Sequence, residues 1–202
     1  MDFLQSQTCQ NLARSFAGES QARNRYTVYA LQARKEKQEY LARLFEQTAD
    51  NEKVHAQEFL EMLVKLAGGP VHNLDIDAGY PYDLGNTAEN LQFAAQGEDQ
   101  EHREVYPAFA RTAREEGFAD AAALWENIAP IEGLHHNVFE EARKQYTGKT
   151  LYKKEQPVVW RCLNCGYILE AAEPWQTCPV CHKDQGWADG CVDDKLAPQR
   201  KK

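Results

Sequence analysis

Glu-x-x-His occurs twice in this chain, at Glu52–His55 and Glu132–His135, 80 residues apart. Each copy interrupts a stripe of helical period. The first stripe is Leu41, Phe45, Thr48, Glu52, His55, Phe59, Met62 and Leu66; the second is Ala121, Trp125, Ile128, Glu132, His135, Phe139, Ala142 and Tyr146. Steps that alternate between four and three residues form a seam of the kind a helical bundle buries. Residues three apart on a helix are neighbours. Each seam therefore sets a carboxylate beside an imidazole where a packed core calls for leucine. Unpaired buried carboxylates are strongly destabilising, so a fold that hides both seams must also supply positive charge.

The rest of residues 1–146 repeats with the motif. AGESQARNRY (17–26) falls on QGEDQEHREV (96–105) with a shift of 79, which lands Gly18-Glu19 on Gly97-Glu98. The one-residue difference from the 80-residue shift is assigned to the turns between helices. The chain thus reads as two copies of a helix pair, each giving one Glu and one Glu-x-x-His. Four glutamates and two histidines converging on one point form the ligand pattern of di-iron and di-manganese bundles. Mixed carboxylate and imidazole donors favour iron or manganese over soft metals. Glu101 breaks the symmetry: it lies three residues after Glu98, and its counterpart in the first repeat is Ala22. It is read as a fifth carboxylate that takes up a metal when the charge there rises.

Four long helices are expected. The first runs over 6–34, and Lys35–Gln38 make the turn. The second runs from Glu39 to Leu66 and is stopped by Gly68-Gly69-Pro70. Residues 71–86 suit a crossover along the bundle. Thr87 is the expected N-cap of the third helix, with Glu89 in its first turn and Gly117 at its end. The fourth runs from Asp120 to Tyr146, with Pro130 expected to kink it. The fold class is mainly α: a four-helix bundle with a long crossover over 1–146, a linker over 147–157, and a small metal module with a basic tail over 158–202.

In that module Cys162-x-x-Cys165 and Cys178-x-x-Cys181 are separated by 12 residues. Two such knuckles make a tetrahedral four-sulfur site, for which zinc and mononuclear iron both qualify. Trp160, Tyr167, Ile168, Trp175 and Trp187 would jacket it. Five of the six cysteines lie within 162–191, which suggests metal rather than disulfides in a reduced compartment. Cys9 and Cys191 are read as free thiols, and LAPQRKK at the end as a solvated tail. The net charge of -8 argues against general binding to nucleic acid or an anionic membrane. No apolar run reaches the roughly 20 residues of a membrane span, and MDFLQSQTCQ lacks the features of a signal peptide. The expected location is the cytoplasm. No Gly-rich dinucleotide fingerprint is present.

With AGESQARNRY, ADNEKVHA, TAENL, GEDQE, YPAFARTAREEGF, IAPIEGLH, WRCLNCGYILE and CPVC all in place, the chain resembles the rubrerythrin family over nearly its whole length. The resemblance implies a ferritin-like bundle in which Glu19, Glu52, His55, Glu98, Glu101, Glu132 and His135 hold two non-haem irons. It implies that Glu101 and His55 exchange on one iron with redox state, and that Tyr26 and Tyr106 stand beside the site. Cys162, Cys165, Cys178 and Cys181 would hold one iron in a rubredoxin-like module. His182 departs from simple rubredoxins, which have Gly there, and this bears on the potential of that iron. The implied activity is reduction of hydrogen peroxide to water, with electrons relayed through the four-cysteine iron. A reductase or a rubredoxin drawing on NAD(P)H would supply them, within a head-to-tail homodimer. The alternatives are a ferroxidase or iron-storage protein, for which the cysteine module has no evident use, and a non-enzymatic sensor with structural zinc.

Overall fold

Helix starts in this chain follow from side chains that cap free backbone N–H groups, as a computed structural model describing residues 2–190 shows. Ser6 accepts from the Cys9 backbone N–H and opens α1 (Gln7–Lys35). A tight turn leads into α2 (Glu39–Ala67), which ends at Gly68 in the left-handed region, φ 75°. Residues 70–85 cross over without regular structure. The N-cap of α3 (Thr87–Gln100) is Asn86, not Thr87. Asn86 and Glu89 make reciprocal bonds, a capping box that occupies two free donors where Thr87 alone would occupy one. The last long helix, α5 (Ala119–Thr147), runs unbroken through Pro130.

The expected third helix is interrupted. A π-turn over Glu101–Val105 separates α3 from α4 (Tyr106–Glu116). This corrects the placing of the extra residue in the turns between helices. Glu19 matches Glu98 with a shift of 79, but Tyr26 matches Tyr106 with a shift of 80. One residue is therefore inserted between Glu98 and Tyr106, within the helix. In a continuous α-helix it would rotate everything after it by about 100°. The wider π-turn absorbs it and returns Tyr106 to register.

α1 packs on α2, while α3 and α4 pack on α5. The core has two aromatic layers. One contains Tyr26, Tyr29, Phe45 and Phe139 with Leu41 and Leu91; the other contains Leu12, Phe59, Tyr106, Trp125 and Ile128. Each large buried side chain contributes about 1.5–3 kcal/mol. Along the α2 stripe the acidic Glu52 and His55 fall between Phe45 of one layer and Phe59 of the other.

The C-terminal module is a three-stranded antiparallel sheet, β1 (Val158–Cys162), β2 (Ile168–Ala171) and β3 (Ala188–Asp189), ordered β2-β1-β3. Its core is Trp160, Trp175 and Cys178, with Leu169 packed there rather than the expected Ile168. The segment expected to link it is not free chain: Leu151 is buried in the bundle core, and Tyr152 touches both cores. The module sits on the α1–α2 turn. Tyr152 donates to Gln38 Oε1 at 2.9 Å, and Arg43 lies over the Trp187 ring. Cys191 and the basic tail lie outside the described residues.

Candidate metal centre

The heptad-like seams of α2 and α5 face each other and bring Glu52-x-x-His55 against Glu132-x-x-His135. The imidazoles are stacked with centroids 5.9 Å apart. Glu19 enters from α1 and Glu98 from α3. All four glutamates are at most 1 % exposed. Their donor atoms form two quartets in which ligand atoms lie within 4.8 Å of one another: Glu19, Glu52, His55 and Glu132, and Glu52, Glu98, Glu132 and His135. Glu52 and Glu132 belong to both, so they are placed to bridge two ions.

Each imidazole Nδ1 looks into a nest of oxygens. His55 Nδ1 lies 2.9 Å from Glu52, 3.0 Å from Glu132 and 4.0 Å from Glu19. His135 Nδ1 lies 2.9 Å from Glu132, 3.2 Å from Glu52 and 3.5 Å from Glu98. One Nδ1–H satisfies one oxygen well. Accordingly Glu19 Oε2, Glu52 Oε1, Glu98 Oε2 and Glu132 Oε1 are buried without a hydrogen-bond partner of good geometry. Four orphaned carboxylate oxygens around two imidazoles fit a pair of hard, multiply charged cations.

The proton equilibria carry the same strain. Burial, then the neighbouring carboxylates, push Glu19 and Glu98 well above the usual carboxylate range. Burial would lower the histidines, but the facing glutamates outweigh it and raise His55 to about 9 and His135 to about 12. Glu132, also opposed by burial, is held low by those imidazoles. Without an ion the repulsion among these carboxylates is relieved by binding protons.

Tyr26 and Tyr106 complete the pattern. The Tyr26 hydroxyl donates to Glu98 Oε1 and the Tyr106 hydroxyl to Glu19 Oε1, each tyrosine reaching from one repeat into the other. Burial and the adjacent carboxylates keep both phenols protonated. Glu101 is outside the two quartets. It is half-buried on the π-turn, where burial, then Glu132 and Glu52, push its carboxyl up to about 8 against the opposing charge of Arg25.

The sequence reading missed what holds the π-turn. His102 Nδ1 lies 2.7 Å from the Ala129 carbonyl oxygen, and a Cβ on Gly133 would sit 3.0 Å from the His102 ring. Gly133 lets this imidazole lie flat on α5. The signal for the turn was present in the differing shifts of Glu19 and Tyr26.

In the module, Cys162 Sγ lies 3.6 Å from Cys181 Sγ, and Cys165 Sγ lies 3.7 Å from Cys178 Sγ. A tetrahedron of sulfurs about 2.3 Å from a central ion has edges of about 3.8 Å, so the thiols are spaced for one metal. The knuckles are near copies: Gly166 N–H donates to Cys162 O and His182 N–H to Cys178 O. Gly166 (φ 77°) and His182 (φ 60°) are both left-handed. The position after each knuckle therefore favours glycine, and His182 holds that conformation without one. The Asn164 side chain and the Lys183 backbone N–H hold the Cys181 thiol down to about 6. Cys9 is buried and unpaired. Among the described residues no helix is long and apolar enough to cross a membrane.

The Rubrerythrin family model matches residues 10–143, and the model described as "Rubrerythrin, rubredoxin-like domain" matches residues 160–186. The rubrerythrin of Clostridium perfringens (strain 13 / Type A) is 42 % identical over 183 residues, covering 90 % of this chain and 93 % of that protein. A solved structure of nigerythrin in its fully reduced, all-ferrous state is 27 % identical, with a TM-score of 0.61, over 94 % of this chain and 93 % of that one. The Mycobacterium tuberculosis bacterioferritin BfrA, 18 % identical with a TM-score of 0.60 over 70 % of this chain and 87 % of its own, shares the fold.

Proposed function

The chain belongs to the rubrerythrin family, and from that premise we propose that it reduces hydrogen peroxide to water, taking up two electrons and two protons per peroxide. The observation that carries this reading is the pair of quartets sharing Glu52 and Glu132, in one chain with a four-sulfur site. When bound, two ferrous ions held by Glu19, Glu52, His55, Glu98, Glu132 and His135, with Glu101 joining only as the charge rises on oxidation, would supply the electrons and Lewis acidity for O–O cleavage, and an iron held by Cys162, Cys165, Cys178 and Cys181 would restore the electrons.

The side chains prepare that chemistry. Tyr106 and Tyr26 each occupy one oxygen of Glu19 and Glu98, which fixes both carboxylates and leaves Oε2 of each for a metal. The aromatic layers on either side exclude water, which strengthens every charge interaction between them. Glu101 retains a proton to higher pH than an ordinary carboxyl and serves as the acid for a departing oxygen.

Electron entry is proposed to come from a second copy in a head-to-tail homodimer. The module rests on the α1–α2 turn of its own chain, and Glu52 lies 13 residues along α2 from Glu39, about 20 Å. That span disfavours direct transfer within one chain. A reductase or a rubredoxin drawing on NAD(P)H is the proposed donor.

The test is iron per chain and peroxide turnover, wild type against Glu52→Ala. The expected result is about three irons in the wild type, loss of the shared pair in the variant, and turnover falling with it. Zinc at the cysteines with no peroxide turnover would refute the reading. So would faster oxidation of the reduced protein by oxygen than by peroxide, which marks a ferroxidase.

A further inference from the structure

The crossover roofs a cavity of about 500 Å³ that borders the candidate metal centre. One wall is α1 at Ser15 and Gly18, the floor is Gly97 with the π-turn, and Glu101 and Tyr106 line it. Hydrogen peroxide is about the size of two waters, each occupying about 30 Å³ in the liquid. The space is instead of the size that takes small organic ligands, about 300–1,000 Å³. Its apolar surface comes from Tyr80, Pro81, Val105 and Phe109.

The roof is fastened down. The Arg14 Nε donates to Asp77 O at 2.9 Å, the Tyr80 hydroxyl to Arg14 O at 2.9 Å, and the Tyr29 hydroxyl to Asp83 O at 2.7 Å. The Tyr80 ring lies across Gly18, where a Cβ would come within 3.4 Å of it. The two bonds to Arg14 fasten the roof at the cavity itself, and the Tyr29 bond anchors the crossover beyond it.

We propose that this cavity binds the organic part of an aryl-alkyl hydroperoxide, with the –OOH group directed at Glu101, so that the protein reduces this class as well as hydrogen peroxide. The proposal rests on the peroxide-reductase reading above. The O–O bond breaks. Two electrons, which the ferrous pair would supply when bound, and two protons are taken up, and the hydroperoxide leaves as an alcohol and water. Aromatic rings stack against Tyr80 and Phe109, and the carboxyl of Glu101 lies at the reacting end.

The probe is cumyl alcohol, the redox-inert product of cumene hydroperoxide, followed by saturation-transfer NMR on the iron-loaded protein. Turnover of cumene hydroperoxide and hydrogen peroxide is measured beside it. Two variants fill the space: Gly97→Leu and Gly79→Leu. A Cβ at either position meets nothing within 4 Å, and neither backbone is left-handed. The wild type should transfer saturation to cumyl alcohol, and at least one variant should abolish it. In that variant kcat/KM for cumene hydroperoxide should fall at least about tenfold relative to that for hydrogen peroxide. Hydrogen peroxide turnover without cumyl alcohol binding, or binding unchanged in both variants, overturns the cavity assignment and leaves the parent reading intact. Binding that the variants block, with no turnover of either peroxide, keeps the cavity assignment and overturns the parent reading.

Discussion

Tyr106→Phe removes one oxygen from a site where nothing else can replace it. Tyr106 is 2 % exposed and Glu19 0 %, and the phenol is the donor to Glu19 Oε1. The other oxygen, Oε2, has no partner. Phenylalanine fills nearly the same space, so the cavity cost is small. The loss leaves a buried oxygen without its donor, about 1–3 kcal/mol. A chain of this size shifts by about 2–4 °C per kcal/mol, so the midpoint should fall by about 2–12 °C. The assay is thermal unfolding of metal-free protein at neutral pH. Tyr26→Phe should cost a similar amount, because Tyr26 makes the matching bond to Glu98. The two phenols bond into one cluster of interacting carboxylates, so the double variant should depart from additivity by about 0.5 kcal/mol or more. Losses below about 0.5 kcal/mol in both single variants would refute the claim that these phenols hold the glutamates. A large loss in one alone would refute the energetic equivalence of Tyr26 and Tyr106.

Gly186→Ala should unseat the metal module, because a Cβ there would sit 1.8 Å from the Lys37 carbonyl oxygen. Faster proteolysis across residues 148–157 and altered Trp187 fluorescence are expected; neither changing would show that the contact does not hold the module. Glu116→Ala should cost about 1 kcal/mol at pH 7, as a lost helix cap does, because Glu116 accepts from the Gln7 and Thr8 backbone N–H groups and from Thr8 Oγ1. Burial alone would raise the Glu116 pKa, but those bonds lower it below the ordinary 4.5. Its contribution is therefore full above that value and is lost as pH falls below it. The gap between wild type and variant in urea melts should narrow towards pH 3; a gap independent of pH would refute the capping role.

The helices and the cluster of four glutamates and two histidines shared by the repeats were legible because periodicity and duplication are one-dimensional signals. Phe45, Glu52, His55 and Phe59 recur as Trp125, Glu132, His135 and Phe139, and a bundle that buries one seam must bury the other. The cap at Asn86 was less legible, since Asn and Thr are both good caps and only the reciprocal bond with Glu89 decides between them. The docking of the module was not legible at all. It depends on a backbone approach between Gly186 and Lys37, residues far apart in sequence with no pattern to join them. The π-turn lies between these cases. Matching Glu19 to Glu98 alone places the extra residue anywhere outside the match, whereas matching Tyr26 to Tyr106 as well confines it to the stretch that carries Glu101.

That confinement links the fold to the chemistry. A helix pair duplicated without change supplies four glutamates and two histidines in two equivalent halves. The inserted residue could have been absorbed in a loop, where it would have left the halves alike. Held within the helix instead, it sets Glu101 on a turn of wider radius beside the cavity, while Tyr106 returns to register and still reaches Glu19. His102 can bond to Ala129 because the turn brings it over α5, and Gly133 provides the room. A change at Gly133 would therefore act on Glu101 without touching it: a Cβ 3.0 Å from the imidazole displaces His102, and His102 is the contact that ties the turn to α5.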